Sequence, residues 1–138
     1  MKKILITGKI NRNAIDKLSE NNDYKVDFKP DIPFDDLKKI IPSYDCLITR
    51  SETNVSKEII DAAENLKVIA VAAVGYAHVD VDHATKKGIL VFNSPGLNTN
   101  SAAELALALI LNCARKIVQA HKNMEKLSWD RHKFSGNE

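Results

Sequence analysis

Glycine is scarce in this sequence, and the positions of its few glycines exclude two common phosphate-binding loops. The 138 residues include five glycines, and none of them form the spacings G-x-G-x-x-G or G-x-x-x-x-G-K-[ST]. Those spacings let a loop wrap closely around the phosphates of a dinucleotide or of a nucleoside triphosphate. These residues therefore carry neither nucleotide-binding fingerprint.

Aromatic residues and clustered charges are also few, which excludes further classes of partner. Aromatic residues make up 6% of the chain, and its 20 Lys and Arg are scattered among 18 Asp and Glu. Nucleic-acid-binding surfaces need grouped cations, so we expect no nucleic-acid partner. Apolar runs fall short of the roughly 18 residues of a membrane span. The opening MKKILIT lacks the cleavage site of a signal peptide, so it is interpreted as a strand, and no membrane partner is expected.

Cysteine and histidine are too few and too dispersed to predict a disulfide or a metal site. Cys46 and Cys113 lie far apart in apolar surroundings, which is typical of free buried thiols in a cytoplasmic protein. The four histidines show no metal-ligand spacing, and His78 and His83 are interpreted as solvated residues that flank a helix start. We therefore predict a cytoplasmic location and no metal.

Five short apolar runs alternate with helix-like segments along the chain. The runs are nearly continuous rather than alternating, as in strands of a parallel sheet that is covered on both faces. This pattern predicts an α/β fold, a flavodoxin-like doubly wound parallel sheet of five strands in the order 2-1-3-4-5, followed by a long apolar helix. We expect strands at about 2–7, 24–28, 45–50, 67–73 and 88–93, and helices at about 11–21, 34–41, 56–64 and 80–87.

Polar residues at the predicted helix starts suggest how each helix is capped. Ser56 is expected to cap the third helix, and Asp80 and Asp82 are interpreted as acids at the start of the fourth. Ser101 and Glu104 have the spacing of a capping box for the last helix, residues 101–116. That helix is apolar on nearly every side, so we expect it to be covered by a second domain or subunit.

The carboxyl ends of the predicted strands are rich in hydrogen-bond donors and poor in acids, and open parallel sheets bind ligands at that edge. Arg50 follows the third strand and offers a fork that matches carboxylate or phosphate. Gly75 follows the fourth strand and permits close backbone approach and positive φ, so nearby N–H groups could face an anion. The carboxyl edge of the sheet is thus a candidate binding site for a small anion. The alternative is a structural bridge from Arg50 to Glu52 or Asp80.

Several motifs together resemble one enzyme family. They lie in residues 47–116, LITRSETNVSKEIIDAAENLKVIAVAAVGYAHVDVDHATKKGILVFNSPGLNTNSAAELALALILNCARK. The combination of R-S after the third strand, V-G-Y…H-V-D, K-K-G-I-L-V-x-N-x-P-G and N-x-x-S-A-A-E is similar to the N-terminal part of the D-isomer-specific 2-hydroxyacid dehydrogenases. Within that family, the nearest branch is D-3-phosphoglycerate dehydrogenase of serine biosynthesis.

The resemblance implies a two-domain, NAD-dependent enzyme that transfers a hydride between C2 of a hydroxy acid and the nicotinamide. Residues 1–98 would form the substrate-binding domain, and residues 99–138 the crossover helix and the start of the nucleotide-binding domain. Helix 101–116 would pack on the latter and help to form a homodimer. The resemblance also suggests six substrate-binding residues, among which Val74 would also approach NAD: Arg50, Ser51, Ala73, Val74, Gly75 and Asn98.

The sequence departs from the phosphoglycerate pattern in one stretch. Val71 stands where an arginine is usual, Ala73 where a glycine is, and Ala77 where an aspartate is. The substrate is therefore expected to be 3-phosphoglycerate or another small 2-hydroxy acid. The family's catalytic arginine, acid and histidine are expected downstream of Glu138, so the 138 residues alone should be inactive. The alternative is a stand-alone anion-binding or subunit-interaction module without catalysis.

Overall fold

The computed structural model describes residues 1–137 and contains one five-stranded sheet in which every strand pair is parallel. The strand order is β2-β1-β3-β4-β5, which confirms the predicted fold class and order. Apart from β2, which has the predicted bounds, the observed strands end one or two residues before the predicted limits, so the loops at the carboxyl edge are longer than expected. They are β1 Lys2–Ile6, β2 Tyr24–Phe28, β3 Cys46–Thr49, β4 Val68–Val71 and β5 Leu90–Phe92.

A helix follows each of the first four strands. Parallel neighbours need a crossover connection, and these helices supply it while covering the sheet. The second helix continues into a short 3₁₀ turn at Ile41–Ser43. The four helices lie within the segments that the sequence predicts: α1 Arg12–Ser19, α2 Phe34–Ile40, α3 Lys57–Ala62 and α4 Val81–Lys86.

The core lies on both faces of the sheet, because successive side chains of a strand point to opposite sides. On β1, Leu5 belongs to a large cluster with residues of α2, α3, β3 and β4, whereas Ile4 and Ile6 belong to a smaller cluster with Ile15 of α1. Each fully buried Leu or Ile side chain contributes about 1.5–3 kcal/mol. Burial on both faces explains why the strands read as continuous apolar runs.

The first compact unit comprises Met1–Pro95, and a second, helical unit begins at Gly96. In the second unit α5 is Thr99–Arg115, α6 is Ile117–Glu125, and a 3₁₀ turn follows at Arg131–Phe134. Lys116 separates the two helices in a left-handed conformation with φ of 54°. No helix in residues 1–137 is both long enough and apolar enough to cross a membrane.

Two predicted caps are wrong in detail. Helix α5 begins at Thr99 with Asn98 as its cap residue, so Ser101 lies inside the first turn and cannot serve as the first residue of a capping box. A turn at Gly96, with φ of 75°, starts the helical path early, and the Ala102 N–H already donates to the Asn98 carbonyl at 2.9 Å. Ser56 occupies the cap position of α3, but its hydroxyl makes no capping bond and is buried without a partner.

Asp80 caps α4 as expected, since its Oδ1 accepts a hydrogen bond from the His83 N–H at 2.9 Å. Asp82 lies in the first turn of the same helix. Both cysteines are free, but the prediction that both are buried is wrong, because Cys113 is exposed on α5.

Candidate functional site

Loops at the carboxyl edge of the sheet are tied to one another by backbone hydrogen bonds. The Ala72 N–H donates to the Thr49 carbonyl at 2.9 Å, and the Val55 N–H donates to the His78 carbonyl at 2.8 Å. The Ser94 N–H, just after β5, donates to the Ala73 carbonyl at 3.0 Å. The exits of β3, β4 and β5 are therefore held side by side, as the sequence predicts for a binding edge.

Arg50 lies at the exit of β3 with a half-buried side chain. Its Nη1 donates to the Lys9 carbonyl at 2.8 Å, and its Nε is buried without a hydrogen-bond partner. Within residues 1–137 no carboxylate lies within 4.0 Å of the guanidinium, so the alternative of a structural bridge to Glu52 or Asp80 is wrong. A cation in this position lacks a counter-ion, and an anionic ligand would provide one.

The loop after β4 turns its carbonyl groups toward β5. The Val74 carbonyl accepts a hydrogen bond from Asn93 Nδ2 at 2.7 Å, and the Ala73 carbonyl accepts from the Ser94 N–H. In the part of the chain that the structure describes, the N–H groups of Ala73, Val74 and Gly75 have no protein acceptor. Asn93 and Ser94 fix this loop, and neither is among the site residues predicted from the sequence.

Of the two properties expected of Gly75, the positive φ is wrong. Its φ is not in the left-handed region, and a Cβ built on it meets no atom within 4 Å. Gly75 therefore leaves open space above the loop rather than enabling a strained turn. Val74, beside it, exposes 40% of its surface at the same edge.

The remaining predicted site residues are placed as follows. Ser51 is exposed directly after Arg50, in the turn closed by the Thr53 N–H and the Arg50 carbonyl at 3.1 Å. Asn98 belongs to the second unit, where it is the cap residue of α5 and its side chain makes no capping bond. No group of three or more His, Cys, Asp or Glu side chains in residues 1–137 could hold a metal ion.

The two histidines near α4 are not the solvated residues that the sequence suggests. His78 is half-buried, its Nε2 has no partner, and burial lowers its pKa while the charge of Glu52 opposes that shift. The ring of His83 lies 2.8 Å from Asp61 Oδ1, which also accepts from Lys87 at 2.9 Å. His83 therefore joins α3 to α4.

Comparison with known proteins identifies the family of the chain. Residues 4–136 match the model of the D-isomer specific 2-hydroxyacid dehydrogenase catalytic domain. The chain belongs to this family. The resemblance that the motifs suggest is therefore confirmed, and the five-stranded unit is this family's α/β fold.

Individual members of the D-isomer-specific 2-hydroxyacid dehydrogenases resemble the chain closely. It is 42% identical to a D-3-phosphoglycerate dehydrogenase of Archaeoglobus fulgidus over 136 residues, which are 99% of this chain and 26% of the relative. It is 45% identical to a hydroxypyruvate reductase of Thermotoga maritima over 104 residues, 75% of this chain and 34% of that protein.

Among solved structures, an NAD⁺-bound 3-phosphoglycerate dehydrogenase of Entamoeba histolytica matches with a TM-score of 0.73 and 30% identity, over 83% of this chain and 40% of that one. The chain thus spans about a quarter to two fifths of the length of these three family members.

Proposed function

We propose that this chain is the substrate-holding part of an NAD-dependent D-2-hydroxyacid dehydrogenase. In the intact enzyme a hydride would pass between C2 of a small 2-hydroxy acid and the nicotinamide. The observation that carries the proposal is the Arg50 guanidinium, which has a buried Nε without a partner and no carboxylate nearby in residues 1–137. It lies one strand away from the unbonded N–H groups of the β4 loop, because Thr49 and Val71 are register partners.

The proposed roles follow from this donor set. Arg50, assisted by the exposed Ser51, binds the substrate carboxylate through its planar fork. The N–H groups of Ala73, Val74 and Gly75 face the same anion, and Gly75 leaves room for it. The exposed Val74 side chain offers an apolar surface to the nicotinamide, and NAD supplies the hydride acceptor when bound. Asn98 is proposed as a substrate contact on the family resemblance alone.

The substrate is proposed to be a small 2-hydroxy acid, either 3-phosphoglycerate or its unphosphorylated analogue glycerate. Val71, which stands at the position of the usual arginine, is 1% exposed and packs in the core. This position therefore adds no cation for a phosphate. Overall identity does not choose between the two acids, since the chain is 42% identical to a D-3-phosphoglycerate dehydrogenase and 45% identical to a hydroxypyruvate reductase. Comparing the affinities of the chain for glycerate and for 3-phosphoglycerate decides between the two substrates.

Titration of the 138-residue chain with glycerate, followed by calorimetry or NMR, tests the site. We expect Arg50→Ala to weaken binding by about 1.5–3 kcal/mol, the range for a hydrogen bond to a charged group. Arg12→Ala is the matched control, because Arg12 is an exposed arginine on α1 that pairs with Asp16 at 3.1 Å. Equal affinities of the wild type and the Arg50 variant would remove Arg50 from the site.

The 138 residues on their own are proposed not to transfer hydride. Hydride transfer needs a nicotinamide held against the substrate carbon with an acid or base in reach. Within residues 1–137 the His83–Asp61 pair shares its carboxylate with Lys87, which suits a structural tie. We expect no NADH oxidation with glyoxylate or hydroxypyruvate, measured by absorbance. Turnover that survives repurification would contradict this.

We also propose that the chain assembles as a homodimer in the cytoplasm through α5, the helix predicted at 101–116 and observed at Thr99–Arg115. Exposed apolar side chains on that helix support the first part, and two free thiols support the second. The same helix is what a non-catalytic subunit-interaction module would use, so association alone does not separate the two functions. The two functions are separated by glycerate binding: the dehydrogenase part should bind glycerate, and the Arg50→Ala variant should lose that binding.

A further inference from the structure

The exit of β1 packs against Arg50 more closely than a side chain would allow. A Cβ built on Gly8 would lie 2.8 Å from Arg50 Cγ, 2.9 Å from the Arg50 backbone nitrogen and 3.0 Å from the Thr49 carbonyl carbon. Non-bonded heavy atoms of this kind normally stay about 3.5–4.0 Å apart. Two of the three atoms belong to the backbone of β3 and its exit, so they cannot turn aside. Gly8 is not in the left-handed region, so the need for glycine here is one of space.

This close approach brings an acceptor to one edge of the guanidinium. The residue after Gly8 is Lys9, and its carbonyl accepts from Arg50 Nη1 at 2.8 Å. The Lys9 side chain extends elsewhere, to Asp31 Oδ2 at 2.9 Å on the loop after β2. The bond from Nη1 fixes the plane of the fork, while the buried Nε keeps a donor that no residue in 1–137 accepts.

We propose that Gly8 and Lys9, at the exit of β1, are a positioning element for Arg50. Gly8 provides the space that lets the β1 exit approach β3, and the Lys9 carbonyl holds the guanidinium so that its remaining donors face a ligand. Gly8 and Lys9 are thus positioning residues. The claim that they orient Arg50 toward a substrate carboxylate rests on the proposed function, whereas the claim that they fix the position of Arg50 does not.

The test is the solvent exchange of the Arg50 Nε–Hε proton in the ¹⁵N-labelled 138-residue chain. A guanidinium held in this way protects that proton, so we expect it to exchange at least about tenfold more slowly than those of the exposed Arg115 and Arg131. Gly8→Ala should raise the Arg50 rate toward the rate of Arg131. Lys9→Ala is the matched control, because it removes the ion pair to Asp31 but keeps the backbone carbonyl, and it should leave Arg50 protected.

The outcomes separate this inference from the proposed function. Thermal unfolding and the backbone amide spectrum report on the fold, and the wild-type rate alone is decisive if Gly8→Ala does not fold. Fast exchange of Arg50 in the wild type, or unchanged protection in a folded Gly8→Ala, would overturn the inference. Protection that is lost in Gly8→Ala supports it. If glycerate then fails to shift the Arg50 resonance, the proposed anion site fails while the positioning of Arg50 stands.

Discussion

Asp61 shows how a single exposed carboxylate joins two helices of this fold. It lies on α3 and accepts hydrogen bonds from His83, within α4, and from Lys87, directly after that helix. The hydrogen bond from Lys87, followed by that from His83, lowers the pKa of Asp61 to about 2. Since the charged form is favoured in the folded state, ionised Asp61 stabilises the fold above the unfolded pKa of 3.8, and this contribution is lost as the pH falls toward 2.

Replacing Asp61 with asparagine should therefore lower the free energy of unfolding more at neutral pH than at acidic pH. We expect Asp61→Asn to lower the free energy of unfolding at pH 5 to 7 and to have a shrinking effect as the pH falls from about 4 to 2. Urea unfolding of both proteins across that range measures the difference. Glu64→Gln, on the exposed loop after α3, is the control for removing an acid. A difference that stays constant down to pH 2 would contradict the assignment.

At the scale of the element, helix starts show where local sequence patterns are reliable. Asp80 is both in the expected position and bonded to the N–H three residues on. Ser56 is in the expected position without the bond, and Ser101 lies inside its helix. Asp and Ser are both good cap residues, so the difference comes from the backbone that precedes each helix. A turn at Gly96 brings the chain into α5 before Ser101 is reached.

Two neighbouring acids on α4 allow a matched comparison of capping. Asp80→Ala removes an acceptor from the His83 N–H and should lower the free energy of unfolding by about 1 kcal/mol. Asp82→Ala removes a charge from the first turn but no capping bond, and should cost about 0.5 kcal/mol or less. Chemical denaturation of the two variants and the wild type gives both values. Equal losses would mean that charge, not the capping bond, stabilises this helix start.

At the scale of the whole molecule, the second unit exposes an unusual amount of apolar surface. None of the 17 residues of α5 is buried. Each large apolar side chain that a partner covered would contribute about 1.5–3 kcal/mol, so a few would hold two chains together. The exposed fractions are at least half for five α5 residues, namely Leu105, Leu107, Leu109, Ile110 and Leu111.

We expect the chain to self-associate through this surface. Ile110 is 65% exposed, the most of the five apolar α5 residues. Ile110→Glu places a charge in this apolar surface and should raise the dimer dissociation constant at least about tenfold. Asn100→Glu adds the same charge at an exposed polar position of α5 and should leave association unchanged. Sedimentation velocity over a concentration series measures both. A wild type that stays monomeric throughout would contradict the expectation.

Much of the fold was predictable because the strands and helices depend on patterns of adjacent residues. The five apolar runs and the helices between them are each readable from adjacent residues, and the parallel sheet follows from their alternation. The candidate edge was predictable for the same reason, since Arg50 and Gly75 directly follow strands. The conformation of Gly75 and the partners of His83 were not, because neither depends on adjacent residues alone.

The sequence by itself determined the α/β class and the group of donors at the carboxyl edge, since periodicity and strand ends are local properties. Only the tertiary structure decided that Arg50 has no acid partner in residues 1–137 and is held instead by the Lys9 carbonyl, 41 positions away. Only it showed that Gly8 is needed for space, because that need arises from a neighbouring strand. Contacts between distant segments form when the strands pair, and no local pattern encodes which donor is left without an acceptor.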